Sequence, residues 1–396
     1  MIFLSGIFPR TIAPSVIILV SLASAPAFAQ GCEIKIGTSG PLSGSAAAWG
    51  IAYKTGPEFI ATLVNEKGGI EVGGKKCLVK VISFDAQATT AGGAAAANYF
   101  ASEGVHAVVG PVLSTEHTGF KGVAARNGIV NFTPTYALDA LGPEFPLVFK
   151  ASQGPSTWSP VLIKAATERF KPTSIVVIGP NDQSGTDGSR ALEKVYAAQG
   201  LKTYEEYYQR GTTNFAPLAT RILNFNADSI EIATMPPVDQ TNLFKQLVEA
   251  GWKGVIGSLG GGGEKPLLQG TDDTKAIKGA YWLETMDTEQ PGVQKLNAEY
   301  KRLMNADRPI NSLFLVSSNA TEIILAAITK AGTAEDGEKI AKAMESNQPE
   351  SQFFGKEGWR GKAEFKINHE LAFPVGLGIY EDGKRVGVKG YPVPSE

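Results

Sequence analysis

The chain has 396 residues, 43% of them apolar and 19% charged, which is the composition of a folded protein long enough for more than one domain. Its formal net charge of −2 excludes the basic field that nucleic acid or an anionic membrane would require of a partner.

Residues 1–29 read as a signal peptide. Arg10 precedes an apolar run over 12–22, and Ala27-Phe28-Ala29 fits the A-x-A cleavage rule, which would start the mature chain at Gln30. The run is too short to span a bilayer, and no later stretch reads as long enough. The alternative is an uncleaved anchor. Export implies an oxidising compartment, here the periplasm, so the two cysteines, Cys32 and Cys77, are expected to pair. Each sits just before an apolar run, and parallel neighbouring strands would set the thiols side by side. The alternatives are two unpaired thiols, or lipid attachment at Cys32 after a poorly matching Ala29-Gln30-Gly31.

Short apolar runs then alternate with helical patterns. Strands are expected at 34–38, 78–84, 106–109 and 129–132, and helices at 53–67, 90–102 and 116–127. That β-α-β-α order implies a parallel sheet covered on both faces. The rhythm restarts with helices at 157–169, 186–199, 214–225 and 239–250. Strands are expected between them at 174–178, 202–208, 229–233 and 254–257. Asn214 suits a helix cap, with Pro217 tolerated in the first turn. "VVGP" at 108–111 and "VIGP" at 177–180 echo each other, so the two halves share a plan. After a strand at 281–283 come helices over 293–304, 316–331 and 337–346, assigned to the first lobe because its few strands need more cover. "VGLGIY" and the turn "EDGK" are assigned to the second. The chain would cross near 150–153, 284–286 and 354–358, making a three-strand hinge. The resulting division is 1–29 leader, 30–150 plus 285–354 lobe one, and 151–284 plus 355–396 lobe two.

Loops leaving parallel strands form crevices where ligands sit. The loops at 37–50, 110–115 and 133–138 share one rim and offer hydroxyls and helix-start amides suited to a carboxylate. Ser45 is expected to cap a helix, and Ser114 to bind. Ser114, Glu116 and His117 lie within four residues, but adjacent helical positions face different ways, so no relay forms. His117 is expected to be solvated. The chain has three histidines and no G-x-S-x-G, H-E-x-x-H or C-x-x-C, so neither catalysis nor a metal cofactor is expected. "GGIEVGGKK" at 68–76 has phosphate-loop spacing but joins a helix to a strand and carries Lys76 where Ser or Thr is needed; it reads as a turn.

"IKIGTSGPLSG", "VNEKGGIEVGGKK", "AVVGPVLS" and "FTPTYA" resemble the periplasmic solute-binding proteins of branched-chain amino-acid uptake, the leucine/isoleucine/valine-binding type. The resemblance implies an α/β type I periplasmic binding fold: two doubly wound parallel-sheet lobes that close on a ligand. It also implies delivery to the membrane permease of an ABC transporter by a non-catalytic protein without cofactor, here expected to be a monomer. By the same resemblance Ser114, Thr135 and Ala137 match carboxylate-binding positions, with alanine where amino-acid binders have threonine. Trp49, Leu113 and Phe314 match the side-chain wall, and Ser184 stands where amino-acid binders carry an aromatic from lobe two. Apart from the resemblance, Trp49, Tyr136 and Phe314 would favour an aromatic ring in the ligand.

The ammonium end departs from the pattern. The tyrosine position falls at Met235 or Pro236 and the glutamate position at Leu259. A buried ammonium without a carboxylate costs several kcal/mol. The expected ligand is therefore a carboxylate lacking an α-amino group, with an apolar or aromatic body. The alternatives are a branched-chain amino acid or amide, with Glu264 swinging in as the missing acid, and a sensor reporting to a signalling partner.

Overall fold

Cys32–Gly40 is the strand on which the first lobe is assembled, as seen in a computed structural model that describes residues 1–3, 6, 31–284, 288 and 290–392. The leader's apolar run and its cleavage site lie outside the described residues. Lys75–Asp85 pairs with Cys32–Gly40 in parallel, in a register that sets Cys32 opposite Cys77. The two cysteines form a disulfide across that pair, with Cα atoms 4.3 Å apart. It closes a loop of sequence separation 45, and the chain-entropy view puts its stabilisation at about 4 kcal/mol.

Eight strands make the first sheet. From one edge they run Gly358–Arg360, Glu370–Ala372, Val148–Lys150, Val130–Thr133, Ala107–Val109, Cys32–Gly40, Lys75–Asp85 and Ile70–Val72. The second sheet has seven, in the order Lys384–Tyr391, Val375–Glu381, Gly279–Glu284, Val255–Ser258, Ser229–Ile232, Ser174–Pro180 and Lys202–Tyr208. The central strands Ala107–Val109, Val130–Thr133, Ser229–Ile232 and Val255–Ser258 are buried at every residue. That is the signature of parallel strands covered on both faces by helices. "GGIEVGGKK" is the antiparallel hairpin of Ile70–Val72 with Lys75–Asp85.

The helix Leu313–Ala331 does return to the first lobe. Its buried apolar side chains join one core with those of Ala47–Glu66. The two helices approach closely at Gly56, where a Cβ would meet Ser317 Oγ at 2.1 Å. Contrary to expectation, Leu313–Ala331 is long and apolar enough to cross a membrane by length and composition; its hydrophobicity is instead used in packing inside this lobe. Ser45 does not cap Ala47–Glu66, whose N-cap is Ala46 with no side-chain hydrogen bond. Asn214 lies one residue before the N-cap Phe215 of Ala216–Asn224, and its Oδ1 accepts from the Ala216 amide at 3.2 Å.

The late crossing differs from the sequence reading. Gly358–Arg360 and Glu370–Ala372 extend the edge of the first sheet beside Val148–Lys150, so the chain passes to the second sheet after Ala372 rather than at 354–358. A buried ion pair anchors that edge. Lys150 Nζ lies 2.8 Å from Glu370 Oε1, and the Glu370 carboxylate also accepts from the Gly154 amide and the Thr157 hydroxyl, both at 2.8 Å. It thereby ties the start of the helix Pro155–Phe170, which covers the second sheet, to the first. In the tail, Val375–Glu381 and Lys384–Tyr391 are joined at Asp382 and Gly383, with φ of 50° and 72°. Two positive φ values define the turn that matches strand twist, and "DG" supplies them at little cost.

Candidate ligand-binding site

The parallel strands of both sheets end facing a cavity between the lobes that is partly open to solvent; the empty space along its lining, open solvent included, is about 700 Å³. Trp49, Leu113, Ser114 and Tyr136 line it from the first sheet's side. Ser184, Thr234, Leu259 and Gly260–Gly263 line it from the second. Ser152 comes from a chain crossing, Leu283 from the strand Gly279–Glu284 of the second sheet, and Asn311, Ser312 and Leu313 from the start of the helix Leu313–Ala331. Among the described residues, no acidic or basic side chain lines it.

Ser114 is the first residue of the helix Ser114–Arg126, which follows the buried strand Ala107–Val109. Its hydroxyl accepts from Thr135 Oγ1 at 2.9 Å, which leaves its own proton to donate. The Ser114 amide, at the positive end of the helix, donates to Ser184 Oγ across the cleft at 3.2 Å. Thr118 Oγ1 donates to Gln183 Oε1 at 2.5 Å, and the Leu138 amide to Asp187 Oδ2 at 3.3 Å, so the lobes are closed on each other.

Thr135 and Ala137 lie behind the lining. Thr135 gives its amide to Thr133 Oγ1, and the Ala137 amide donates to Thr135 Oγ1, both at 3.2 Å. Thr133 Oγ1 in turn donates to the Pro111 carbonyl at 2.6 Å. Short-range hydroxyl bonds thus absorb the donors that the sequence reading assigned to a ligand. Met235 sits in the core of the second lobe. Thr234, with φ of 53°, lines the cavity in its place, and left-handed backbone at a β-branched residue is uncommon enough to mark a constrained site. Phe314 packs against Tyr300 and Phe59, with ring centroids 5.2 and 6.0 Å away. The wall is made one residue earlier, at Leu313. Tyr136 packs on Trp158 at 6.0 Å, and burial pushes its hydroxyl pKa up.

His117 is fully buried, not solvated, and neither ring nitrogen has a partner among the described residues. Burial, reinforced by Lys121, pulls its pKa down to about 3. Glu116 accepts from the Leu113 amide at 3.1 Å and the Ala88 amide at 3.0 Å, and burial pushes its pKa up to about 7. Neither side chain bonds to Ser114, so the three residues form no relay.

Glu264 accepts from Tyr380 Oη at 2.7 Å and Arg385 Nε at 2.9 Å, which holds it off the cavity. The sequence reading missed Glu231. This fully buried carboxyl accepts from the Leu259 amide at 2.7 Å and from Tyr196 Oη at 2.5 Å, and Tyr196 Oη lies 2.7 Å from Tyr281 Oη. It therefore sits behind the cavity wall. Burial pushes its pKa up to about 7. A charged residue in the middle of the apolar run "SIEIA" was the signal that marked it. Asn311 and Ser152 carried no such signal.

The periplasmic binding protein profile matches residues 33–374. The Leu/Ile/Val-binding protein BraC3 of Rhizobium johnstonii is 27% identical over 341 residues, which is 86% of this chain and 90% of that one. Two solved structures share the fold, each with a TM-score of 0.75. The branched-chain amino-acid binding protein LivJ of Streptococcus pneumoniae, in complex with isoleucine, is 19% identical and covers 91% of this chain and all of its own. An ABC transporter solute-binding protein of R. palustris, in complex with benzoate, is 16% identical and covers 92% of this chain and 98% of its own. With two sheet-centred lobes closed on a cavity and a family match spanning both, the chain belongs to the periplasmic binding protein family, as a solute-binding protein.

Proposed function

We propose that the protein captures a small aromatic or other non-amino organic acid between its lobes and hands it to the permease of an ABC importer. It acts in the periplasm as a monomer, after its leader is cleaved. The observation that carries this reading is the lining: a helix start and hydroxyls on one side, and no carboxylate among its described residues. A carboxylate gains hydrogen bonds there of roughly 1.5–3 kcal/mol each. An α-ammonium would be buried without a counter-charge, at a cost of several kcal/mol. Trp49 and Tyr136 offer ring faces or edges to an aromatic body. The benzoate complex of a protein sharing this fold fits the same reading. The ligand draws the lobes together by contacts made only in the closed state, where Ser114 and Ser184 meet.

Isothermal titration of ligand-stripped protein with benzoate, cinnamate and leucine tests the proposal. The expected result is saturable binding of at least one aromatic acid and no heat with leucine. Tight leucine binding with silence from both acids would overturn it.

A further inference from the structure

Outside the inner cavity lies a second, wider groove of about 1140 Å³, open to solvent. The two are adjacent, with Gly262 and Asn311 lining both. One wall of the groove is Ala48 with Arg308–Asn311, and the other includes Val238, Lys265 and Pro266. The groove is largely apolar, and its charged lining side chains, Arg308 and Lys265, are both cations on opposite lobes.

Arg308 is held in place without an ion pair among the described residues. Its Nε donates to Asn297 Oδ1 at 2.6 Å and its Nη1 to the Pro309 carbonyl at 2.7 Å. The guanidinium lies 5.9 Å from the Phe314 ring centroid. Its hydrogen-bond acceptors are neutral and fix its direction. Glu284 acts on it from a distance, but that carboxylate accepts from Trp282 Nε1 at 2.8 Å. Lys265 is exposed on the facing wall.

We propose that the ligand is an elongated diacid: one carboxylate sits at Ser114, an apolar or aromatic body fills the inner cavity, and a second anionic group reaches the outer groove between Arg308 and Lys265. This rests on the organic-acid reading above and narrows it to a substrate class. It also adds to the closure mechanism. Arg308 and Lys265 belong to different lobes, so an anion between them is bound best when the lobes are shut, and such differential contact is what drives closure. The apolar residues Val238, Pro266 and Ile310 cover the stem of the ligand on its way out.

The test compares cinnamate, its para-carboxylated derivative and leucine by isothermal titration at low salt, on wild type, Arg308→Gln and Lys265→Glu. Lys265 is exposed, so its variant keeps the experiment decisive if Arg308→Gln folds poorly. The diacid is expected to bind wild type about tenfold more tightly than cinnamate, and each variant to remove most of that advantage with cinnamate affinity unchanged. Equal affinity of the two acids for wild type, or parallel losses of both in Lys265→Glu, would overturn the diacid proposal and leave the organic-acid reading standing. Binding of leucine with neither acid bound would remove both.

Discussion

The wall of the cavity contributed by the first lobe presents the Ser114 hydroxyl at a helix start, while that of the second presents Leu259 and four consecutive glycines. On the proposed reading, the first would fix a charged head group by direction. The second shapes the space with backbone and leaves it neutral. The two also differ in what lies beneath. One turn along from Ser114 is His117, buried without hydrogen-bond partners among the described residues. Beneath Leu259 is Glu231, buried but bonded to that residue's amide. One wall rests on a base and the other on an acid, each with its charged form disfavoured by burial, so pH should strain them from opposite sides.

The largest effect is expected under the first wall. His117 has a folded pKa near 3, below its ordinary value near 6.5. As pH falls from 6.5 towards 3, the unfolded chain binds a proton there and the folded chain does not, so stability is lost by an amount of order 4 kcal/mol. His117→Leu should abolish that loss and also remove two unpartnered nitrogens. Denaturant unfolding at pH 7.5, 5 and 4 checks it; a difference between variant and wild type that stays constant with pH would show that His117 is not the titrating group.

The second wall should respond the other way and somewhat less. Burial raises Glu231 from an ordinary 4.5 to about 7, against the bonds from Tyr196 and Leu259. Its contribution is complete below pH 4.5 and is lost as pH rises to 7, because the unfolded chain ionises first; the change is about 3 kcal/mol. Glu231→Gln keeps an acceptor for the Leu259 amide and should gain stability relative to wild type between pH 5 and 8. The same unfolding series decides it, and a variant that loses ground as pH rises would contradict the assignment.

Much of this architecture was legible because it rests on repeating patterns. Apolar runs bounded by helices give parallel sheets, and cysteines at matching strand starts give a disulfide once the strands are neighbours. The place of Ser114 at the cavity was legible for a similar reason, because it is the first helical residue beyond a strand end. What escaped depends on single residues. A step of one position on a helix turns the side chain by about 100°, which separates Leu313 in the wall from Phe314 in the core. Left-handed backbone at Thr234 presents that residue and leaves Met235 inside. Thr135 and Ala137 were plausible ligand donors until neighbouring hydroxyls took their amides. His117 reads as polar and solvated, and its burial depends on the rest of the lobe. The strands at 358–360 and 370–372 are only three residues each, too short for any periodicity to show that they extend the first sheet.

The smallest of the three effects addresses the contrast between the walls most directly. On the proposed reading, Ser114→Ala removes the hydroxyl that would donate to the head group, and loss of one hydrogen bond to a charged acceptor should weaken binding by about 2 kcal/mol, roughly thirtyfold. Stability should fall less, by about 1 kcal/mol, because Thr135 Oγ1 then loses its acceptor. Ser184→Ala, on the opposite wall, removes an acceptor of the Ser114 amide rather than a donor to the ligand, and that amide is then free to turn to the carboxylate. Its effect on affinity should be the smaller of the two. Titration of both variants with the same aromatic acid, alongside thermal melts, separates them. If Ser184→Ala weakens binding more than Ser114→Ala, the head group is held by the second lobe, and the division of labour between the walls is reversed.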